Sequence, residues 1–276
     1  MFEEMSEERI LESLARMSAV ITQSHVVYTS GLHGSAYVNK DAIYPHTLET
    51  ANLCFTLALK VARLGLPFKL FIPEAVIGPA LGGIILSQWT AFHFSTFWTA
   101  DKNPDVLALY AERKEELILK GISDKFNPDC FRISSIYAEE LVWSEGDNEP
   151  ERDYLLPQDA ELVIKRKELV LKRGYERRLE GKRVLIVEDI LTTGNSARHA
   201  VEAARKAGGV VDIVAAICNG GELTAEQLGV SHLVSLLNFK RNTFPGNNCP
   251  LCNSGIPINT TVGHGKEFLE KQASKA

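Results

Sequence analysis

Residues Arg183 to Ser196 read RVLIVEDILTTGNS. The apolar run Val184–Val187, rich in β-branched residues, has the composition of a strand buried on both faces. Glu188 and Asp189 close that run, and Thr192-Thr193-Gly194-Asn195-Ser196 follow after two more apolar residues. In an open parallel sheet, ligands bind beyond the carboxyl ends of the strands. A loop of this composition feeding a helix offers a phosphate backbone N–H groups, hydroxyl donors and the positive end of a helix dipole. Gly194 lets the backbone come close to the ligand. Carboxylates aimed at a phosphate would repel it. They make sense facing hydroxyls, as acceptors for the diol of a sugar. The residue types together therefore describe a ribose 5-phosphate site. The plain alternative is an N-capped helix after a strand, with both acids merely exposed.

Outward from this stretch, strands and helices alternate. Ser6 is placed to cap a helix over roughly 7 to 20, with Glu7 and Glu8 in its first turn and Ile10, Leu11, Leu14, Met17 and Ile21 at helical spacing. VVYTSGLHGSAYVNKD (Val26 to Asp41) reads as strand, turn and strand. A helix from about Leu48 to Leu64 stops at Gly65. EAVIGPALGGIILSQWTAF begins as a short strand, breaks at Gly78-Pro79 and continues as an apolar helix; Val106 to Arg113 reads as another strand. After RVLIVED come a helix over about Ala197 to Ala207 and a strand over Val210 to Asn219. This rhythm predicts an α/β fold with a mostly parallel sheet covered by helices on both faces. The expected organisation is an N-terminal helix and hood segment (1–45), a core (46–238) with an insertion near 115–165, and an irregular C-terminal extension (239–276).

Composition narrows the function classes. The 276 residues are 45% apolar and 24% charged, with a net charge of −5, so no general basic face for nucleic acid is implied. No run approaches a membrane span, and the acidic start MFEEMSEERI lacks the pattern of an export signal. Five cysteines without a pairing pattern fit a reducing, cytoplasmic setting. Between Glu139 and Glu161 there are nine acids and one base, Arg152, which reads as a solvated insertion. ERKEELILKG (Glu112 to Gly121) and KRKELVLKRG (Lys165 to Gly174) echo one another, too few copies for a repeat architecture. A P-loop and a dinucleotide fingerprint are both absent.

Four apolar residues, two acids, two apolar residues and Thr-Thr-Gly-x-Ser resemble the phosphoribosyl pyrophosphate (PRPP) motif of type I phosphoribosyltransferases; here x is Asn195, where a small residue is more usual. Ile77 to Gly83, IGPALGG, looks like the diphosphate-binding loop of the orotate phosphoribosyltransferases within that class. In this loop of Gly78, Pro79, Ala80, Leu81, Gly82 and Gly83, the small residues Gly78, Ala80, Gly82 and Gly83 would let backbone N–H groups surround a diphosphate. TSGLHGSAYVNKD resembles the N-terminal substrate segment of the same family, ELVLKRGYERRLEGKRVLIVED its approach to the PRPP motif, and CPLCNSGIPI the tail of its longer bacterial members. The similarity touches most of 20–110 and 168–265.

The resemblance implies transfer of a phosphoribosyl group from PRPP to orotate with Mg²⁺ carried on PRPP, in a homodimer. It implies Glu188 and Asp189 on the ribose diol, Thr192 to Ser196 on the 5′-phosphate, and Ser30, Gly31 and Lys40 near the base. Many members carry Lys before the Ser-Gly pair, where this chain has Thr29. The family's short catalytic loop carries Arg and Lys. Here Arg113-Lys114 and Lys172-Arg173 could supply them, with Arg166-Lys167 a rival for the first pair and about fifty residues between. Another base as acceptor, or a PRPP-sensing regulator, stays open. Cys249-x-x-Cys252 is half of a zinc-site spacing that Cys218, His232 or His264 could complete, although a metal-free tail is the favoured expectation. His33 falls in the substrate-like segment.

Overall fold

The computed structural model describes residues 2–28, 30–65, 70–97, 105–120, 161–238 and 242–273, with the backbone alone at 115–120 and 161–167. The chain divides into two compact units, Met1–Ala111 with Leu171–Ala276, and Glu112–Val170.

In the first unit, α1 (Glu7–Arg16) starts where Ser6 Oγ accepts the Arg9 N–H, as its sequence predicts. It stops sooner than its apolar spacing implies. Ser18 adopts a positive φ of 54°, and the Ser18 and Ala19 N–H groups turn back to Ala15 O and Leu14 O. That pair of bonds closes the helix end and frees Val20 and Ile21 for strand β1 (Val20–Ile21). The expected strand–turn–strand over Val26 to Asp41 becomes three two-residue strands, β2 (Val26–Val27), β3 (His33–Gly34) and β4 (Tyr37–Val38). β3 pairs with β2, whereas β4 turns away to pair with β1.

Next come α2 (Thr47–Ala62), β5 (Ala75–Pro79), α3 (Gly82–Thr96) and β6 (Leu107–Lys120), then β7 (Glu161–Val170), β8 (Arg183–Leu191), α4 (Asn195–Lys206), β9 (Val210–Asn219) and β10 (His232–Asn238). The first unit's main sheet has the order β10-β9-β8-β5-β6, and every neighbouring pair in it is parallel. Alternation along the strands divides its side chains between two faces. Val76, Leu185, Val187, Ile213, Ala215 and Ile217 join one core with Leu14, Leu53, Leu57, Leu86 and Phe94 from α1, α2 and α3. The intervening Ala75, Ile77, Val184, Ile186, Val214 and Ala216 are buried on the other face, where α4 packs through Ala197, Ala200, Val201 and Ala204. The expected α/β architecture with helices on both faces is thus present. No described helix is long and apolar enough to cross a membrane.

The extension after Asn238 is more ordered than its composition implies. It carries β11 (Thr243–Phe244), α5 (Pro250–Asn253) and α6 (Gly265–Ala273). β11 pairs with β3, the Asn259 N–H donates to His25 O and the His264 N–H donates to Val27 O. Backbone pairing with the N-terminal hairpin, rather than an apolar stripe of its own, gives this segment its structure.

In the second unit, the two echoing decamers pair in part: Glu112–Glu116 of β6 lies antiparallel to Arg166–Val170 of β7, and after one register shift Leu117–Lys120 continues against Glu161–Ile164, ahead of the second echo. The acidic stretch expected as a solvated insertion lies, but for Glu161, outside the described residues.

Candidate functional site

Strand β8 does not end before its acids. It continues through Glu188 and Asp189 to Leu191, and both carboxylates are buried, at 6% and 3% exposure. The expectation of acids at a strand end thus becomes one of acids inside it. Burying two adjacent carboxyls is costly unless they find partners or one stays neutral. Both remedies are present. Asp189 Oδ2 accepts the Tyr44 hydroxyl at 2.7 Å and faces Lys40 Nζ at 3.2 Å, while Oδ1 accepts the Ile190 N–H at 2.6 Å. Glu188 Oε1 accepts the Asp189 N–H at 3.2 Å, and its carboxyl also bonds the Asp189 side chain. Burial, reinforced by the neighbouring Asp189 charge, pushes the Glu188 carboxyl up to about 8. Burial and Asp189 likewise raise the Tyr44 phenol far above its usual range, so it stays a donor. Lys40 is held up by the same carboxylate against the opposing pull of its burial.

The loop after β8 sets the start of α4. Gly194 caps that helix in the left-handed conformation (φ 73°), and a side chain there would run into Leu223 and Leu228. Thr192, Thr193, Asn195 and Ser196 are exposed around this buried glycine. The first-turn amides of α4 have no intrahelical partner, so hydroxyls and N–H groups face the same open space. Arg198, one turn into the helix, reaches back to Asn195 Oδ1 and to Gln227 O. It adds a cation to the loop that the motif alone does not show.

The second glycine-rich loop joins β5 to α3. Gly78 and Gly83 approach so closely that a Cβ on either would strike the other's backbone. A Cβ on Gly82 would strike Asp189 Oδ2 and the Tyr44 hydroxyl. The Ala80–Leu81 peptide bond is cis, and the Ala80 N–H donates to Ala111 O at 2.8 Å. That amide therefore faces the sheet, and the remaining loop donors are those at the start of α3. Leu81 stands exposed at its tip. Pro79 completes β5 instead of breaking it.

Lys40, expected near the base, sits on Asp189. Ser30 and Gly31 form the tip between β2 and β3, where Gly31 has a φ of 78° and its N–H donates to Tyr28 O. Thr29 lies outside the described residues. Tyr44 was not singled out by sequence, because one tyrosine in a polar turn carries no spacing signal. Among the basic pairs, Lys172 and Arg173 follow β7 in the first unit. The Arg173 guanidinium lies 6.0 Å from the centre of the Tyr110 ring, which meets Tyr175 edge-on. Arg113 and Lys114 belong to the hairpin unit, where Lys114 faces Glu168 at 3.8 Å. The side chains of the rival pair, Arg166 and Lys167, lie outside the described residues.

Two further features fall outside this site. A concavity of about 430 Å³ lined by Glu74, Asp105, Arg178 and Lys182 occupies the amino ends of β5, β6 and β8, the opposite side from Asp189. Cys249 and Cys252 gather with His25 and His33, not with Cys218, His232 or His264. His33 is thereby removed from the substrate segment, because its ring is buried against the C-terminal extension.

Parallel sheet, buried acid pair, capped hydroxyl loop and glycine-rich turn together have the form of a type I phosphoribosyltransferase. The sequence relatives that follow are named orotate phosphoribosyltransferase. The chain is similar to the orotate phosphoribosyltransferase of Caldanaerobacter subterraneus, 26% identical over 254 residues, covering 92% of this chain and 96% of that protein. It is likewise similar to that of Pelotomaculum thermopropionicum, 27% identical over 256 residues, covering 92% and 95%. Among solved structures, the orotate phosphoribosyltransferase from Aeropyrum pernix aligns with a TM-score of 0.47 and 19% identity, covering 83% of this chain and 93% of that one. The Mycobacterium tuberculosis enzyme in complex with PRPP aligns with a TM-score of 0.44 and 19% identity, covering 84% and 95%. No protein-family model matches the chain.

Proposed function

We propose that this chain transfers a phosphoribosyl group from PRPP to orotate, giving orotidine 5′-monophosphate and diphosphate. The observation that carries the reading is the buried Glu188–Asp189 pair running without a break into the Thr192–Ser196 loop and the N-terminus of α4. The curated relatives, all but covered by this chain, supply the choice of orotate.

The reaction breaks the bond between the anomeric carbon and a diphosphate oxygen, forms one to the base nitrogen and releases that nitrogen's proton. Positive charge grows on the anomeric carbon as diphosphate leaves. Asp189, which holds Lys40 and Tyr44, carries the negative charge of the pair and stabilises that cation. A carboxylate has about four lone-pair sites. Tyr44, Lys40 and Ile190 N–H use three, which leaves Oδ1 able to accept one ribose hydroxyl. Glu188, held neutral, can both donate to and accept from the second hydroxyl. Thr192, Thr193, Ser196 and the amides around Gly194 anchor the 5′-phosphate. The Gly82–Gly83 end of the β5–α3 loop holds the diphosphate, with Lys172-Arg173 as its cations. Enclosure of PRPP keeps water from the anomeric carbon.

The donor set fits Mg²⁺ carried by substrate. Carboxylates are suitable hard ligands, yet Asp189 is nearly saturated and Glu188 is neutral, so the chain has few direct bonds to give. When bound, Mg²⁺ neutralises the diphosphate and makes it a better leaving group. The same reading makes the protein a cytoplasmic homodimer, to be checked by light scattering for twice the chain mass.

The test is incubation with PRPP, Mg²⁺ and, separately, orotate, uracil, adenine and hypoxanthine, following diphosphate and nucleotide. Nucleotide from orotate alone is expected. Turnover only with a purine overturns the choice of base. PRPP binding without turnover on any base overturns the enzyme and favours a sensor.

A further inference from the structure

Cys249 and Cys252 flank the start of α5, with Cys249 at its cap and Pro250 as its first residue. Across from them, His25 precedes β2 and His33 lies on β3. The four candidate donor atoms lie within 4.8 Å of one another. His25 Nε2 is 3.7 Å from both Cys249 Sγ and Cys252 Sγ and 2.9 Å from His33 Nδ1, and His33 Nδ1 is 3.4 Å from Cys252 Sγ. In a tetrahedral zinc site with ordinary bond lengths, the edges are about 3.4 Å for N···N, about 3.6 Å for N···S and about 3.8 Å for S···S. The N···S separations of 3.4–3.7 Å bracket their edge, and the N···N separation of 2.9 Å is shorter than its own by about 0.5 Å.

The His25 tautomer fits as well, whereas His33 Nε2, the nitrogen left to carry that ring's proton, is buried without a partner. His25 Nδ1 lies 2.7 Å from Ile256 O. A carbonyl can only accept, so that nitrogen carries the proton and Nε2 presents its lone pair to the cluster. With both Nε2 of His25 and Nδ1 of His33 aimed inward, two lone pairs face each other at 2.9 Å unless a proton or a cation lies between. The cysteines are free thiols, and His25, His33 and Cys249 are buried, with Cys252 at the open edge. The run into β2, the nearby strand β3 and the turn of α5, over 200 residues away, thus converge on one point.

We propose that His25 Nε2, His33 Nδ1, Cys249 Sγ and Cys252 Sγ are the four ligands of a structural zinc ion that fastens the C-terminal extension to the N-terminal hairpin. Both thiols release their protons to solvent on binding, and both imidazoles bind neutral. Two thiolates then balance the charge of Zn²⁺, leaving a neutral centre suited to its buried position. Four protein ligands leave no open position, so the ion is structural and takes no substrate. Borderline-soft divalent cations are the class selected; Mg²⁺ is not, because it favours oxygen.

The experiment reads metal, not turnover, and so is independent of the proposed transferase activity. Untagged protein purified under reducing conditions is analysed for metals, then stripped and titrated with Co²⁺. About one zinc per chain is expected, together with the intense visible bands of tetrahedral cobalt and thiolate-to-cobalt charge transfer. Cys252→Ser and His33→Asn are each expected to reduce bound metal to near zero under dialysis, whereas Cys54→Ser keeps it. Loss of the ion is expected to expose the extension to proteolysis before the core. Unmodified protein that yields neither zinc nor a tetrahedral cobalt spectrum overturns the site without recourse to any variant. A Cys249–Cys252 disulfide that reductant opens without creating metal affinity overturns it equally. Full metal content in both Cys252→Ser and His33→Asn assigns the ion elsewhere.

Discussion

Glu188→Gln separates the structural cost of the acid pair from its chemistry. Glu188 is enclosed, and its carboxyl is raised from the ordinary 4.5 to about 8, chiefly by burial and then by Asp189. Between those values the folded protein retains a proton that the unfolded chain has lost. Stability from this group is therefore fully present below about 4.5 and is lost as pH rises through about 8. One pKa unit corresponds to about 1.4 kcal/mol, so moving from pH 5 to pH 9 costs the unmodified protein roughly 2–4 kcal/mol at this residue. Glutamine is neutral throughout and nearly isosteric, and it keeps an acceptor for the Asp189 N–H. The variant is thus expected to gain on the unmodified protein by that amount between pH 5 and pH 9. For a chain this size the gain is roughly 5–15 °C in melting temperature. Thermal scans in matched buffers across that range measure it. Parallel curves for the two proteins would show that Glu188 is not held neutral in the fold, and would remove the role given to it on the ribose.

Asp189→Asn removes the charge that pairs with Lys40, and turnover is expected to fall by about 100-fold or more while circular dichroism is unchanged; near-normal rates would take Asp189 out of the site. In Gly82→Ala the new methyl strikes Asp189 Oδ2 and the Tyr44 hydroxyl, although alanine suits the helix. A loss of about 10–100-fold in kcat/KM with retained helicity is expected, and a change under about twofold would refute the close packing. Gly194→Ala forces a side chain into the left-handed region and against Leu223 and Leu228. Calorimetry is expected to show PRPP binding weakened by about tenfold or more, along with a stability loss of about 1–2 kcal/mol or greater. Unchanged PRPP affinity would place the 5′-phosphate elsewhere.

How much of this was legible in sequence depended on whether the signal was local. The β8–α4 stretch was legible because apolar run, acids, hydroxyls and glycine stand within fourteen residues, and each type has a separate physical reason. The main sheet followed from β5, β8 and β9, whose strands are apolar on both faces. The hairpin segment was not resolved in advance, since strands of two residues carry no periodicity; their pairing depends on partners such as β11, over 200 residues away. The company of the CPLC cysteines was hidden for the same reason: they gather with His25 and His33, and His25 stands 224 residues from Cys249, while nearer cysteines and histidines were equally plausible on paper. The echo of Glu112 and Lys165 was visible, yet only the register showed that its halves pair in part with each other.

Asp189 joins what the sequence presents as separate motifs. Its Oδ2 receives Tyr44 and Lys40 from the segment after β4, Gly82 of the β5–α3 loop packs against it, and its own strand leads into the phosphate loop. A carboxylate so placed reports on the position of all three. Displacing the N-terminal segment removes two of the three donors, leaving a buried charge held by one backbone amide, an arrangement that costs several kcal/mol. Correct placement of the hood is in this way coupled to the position of the Asp189 carboxylate. It also explains why a segment of two-residue strands, with little core of its own, needs fastening. The hairpin β2–β3 is held by β11 and by Asn259 and His264 of the extension, and β4 is held by β1. Loosening the extension should accordingly raise the Michaelis constants before it lowers the stability of the sheet.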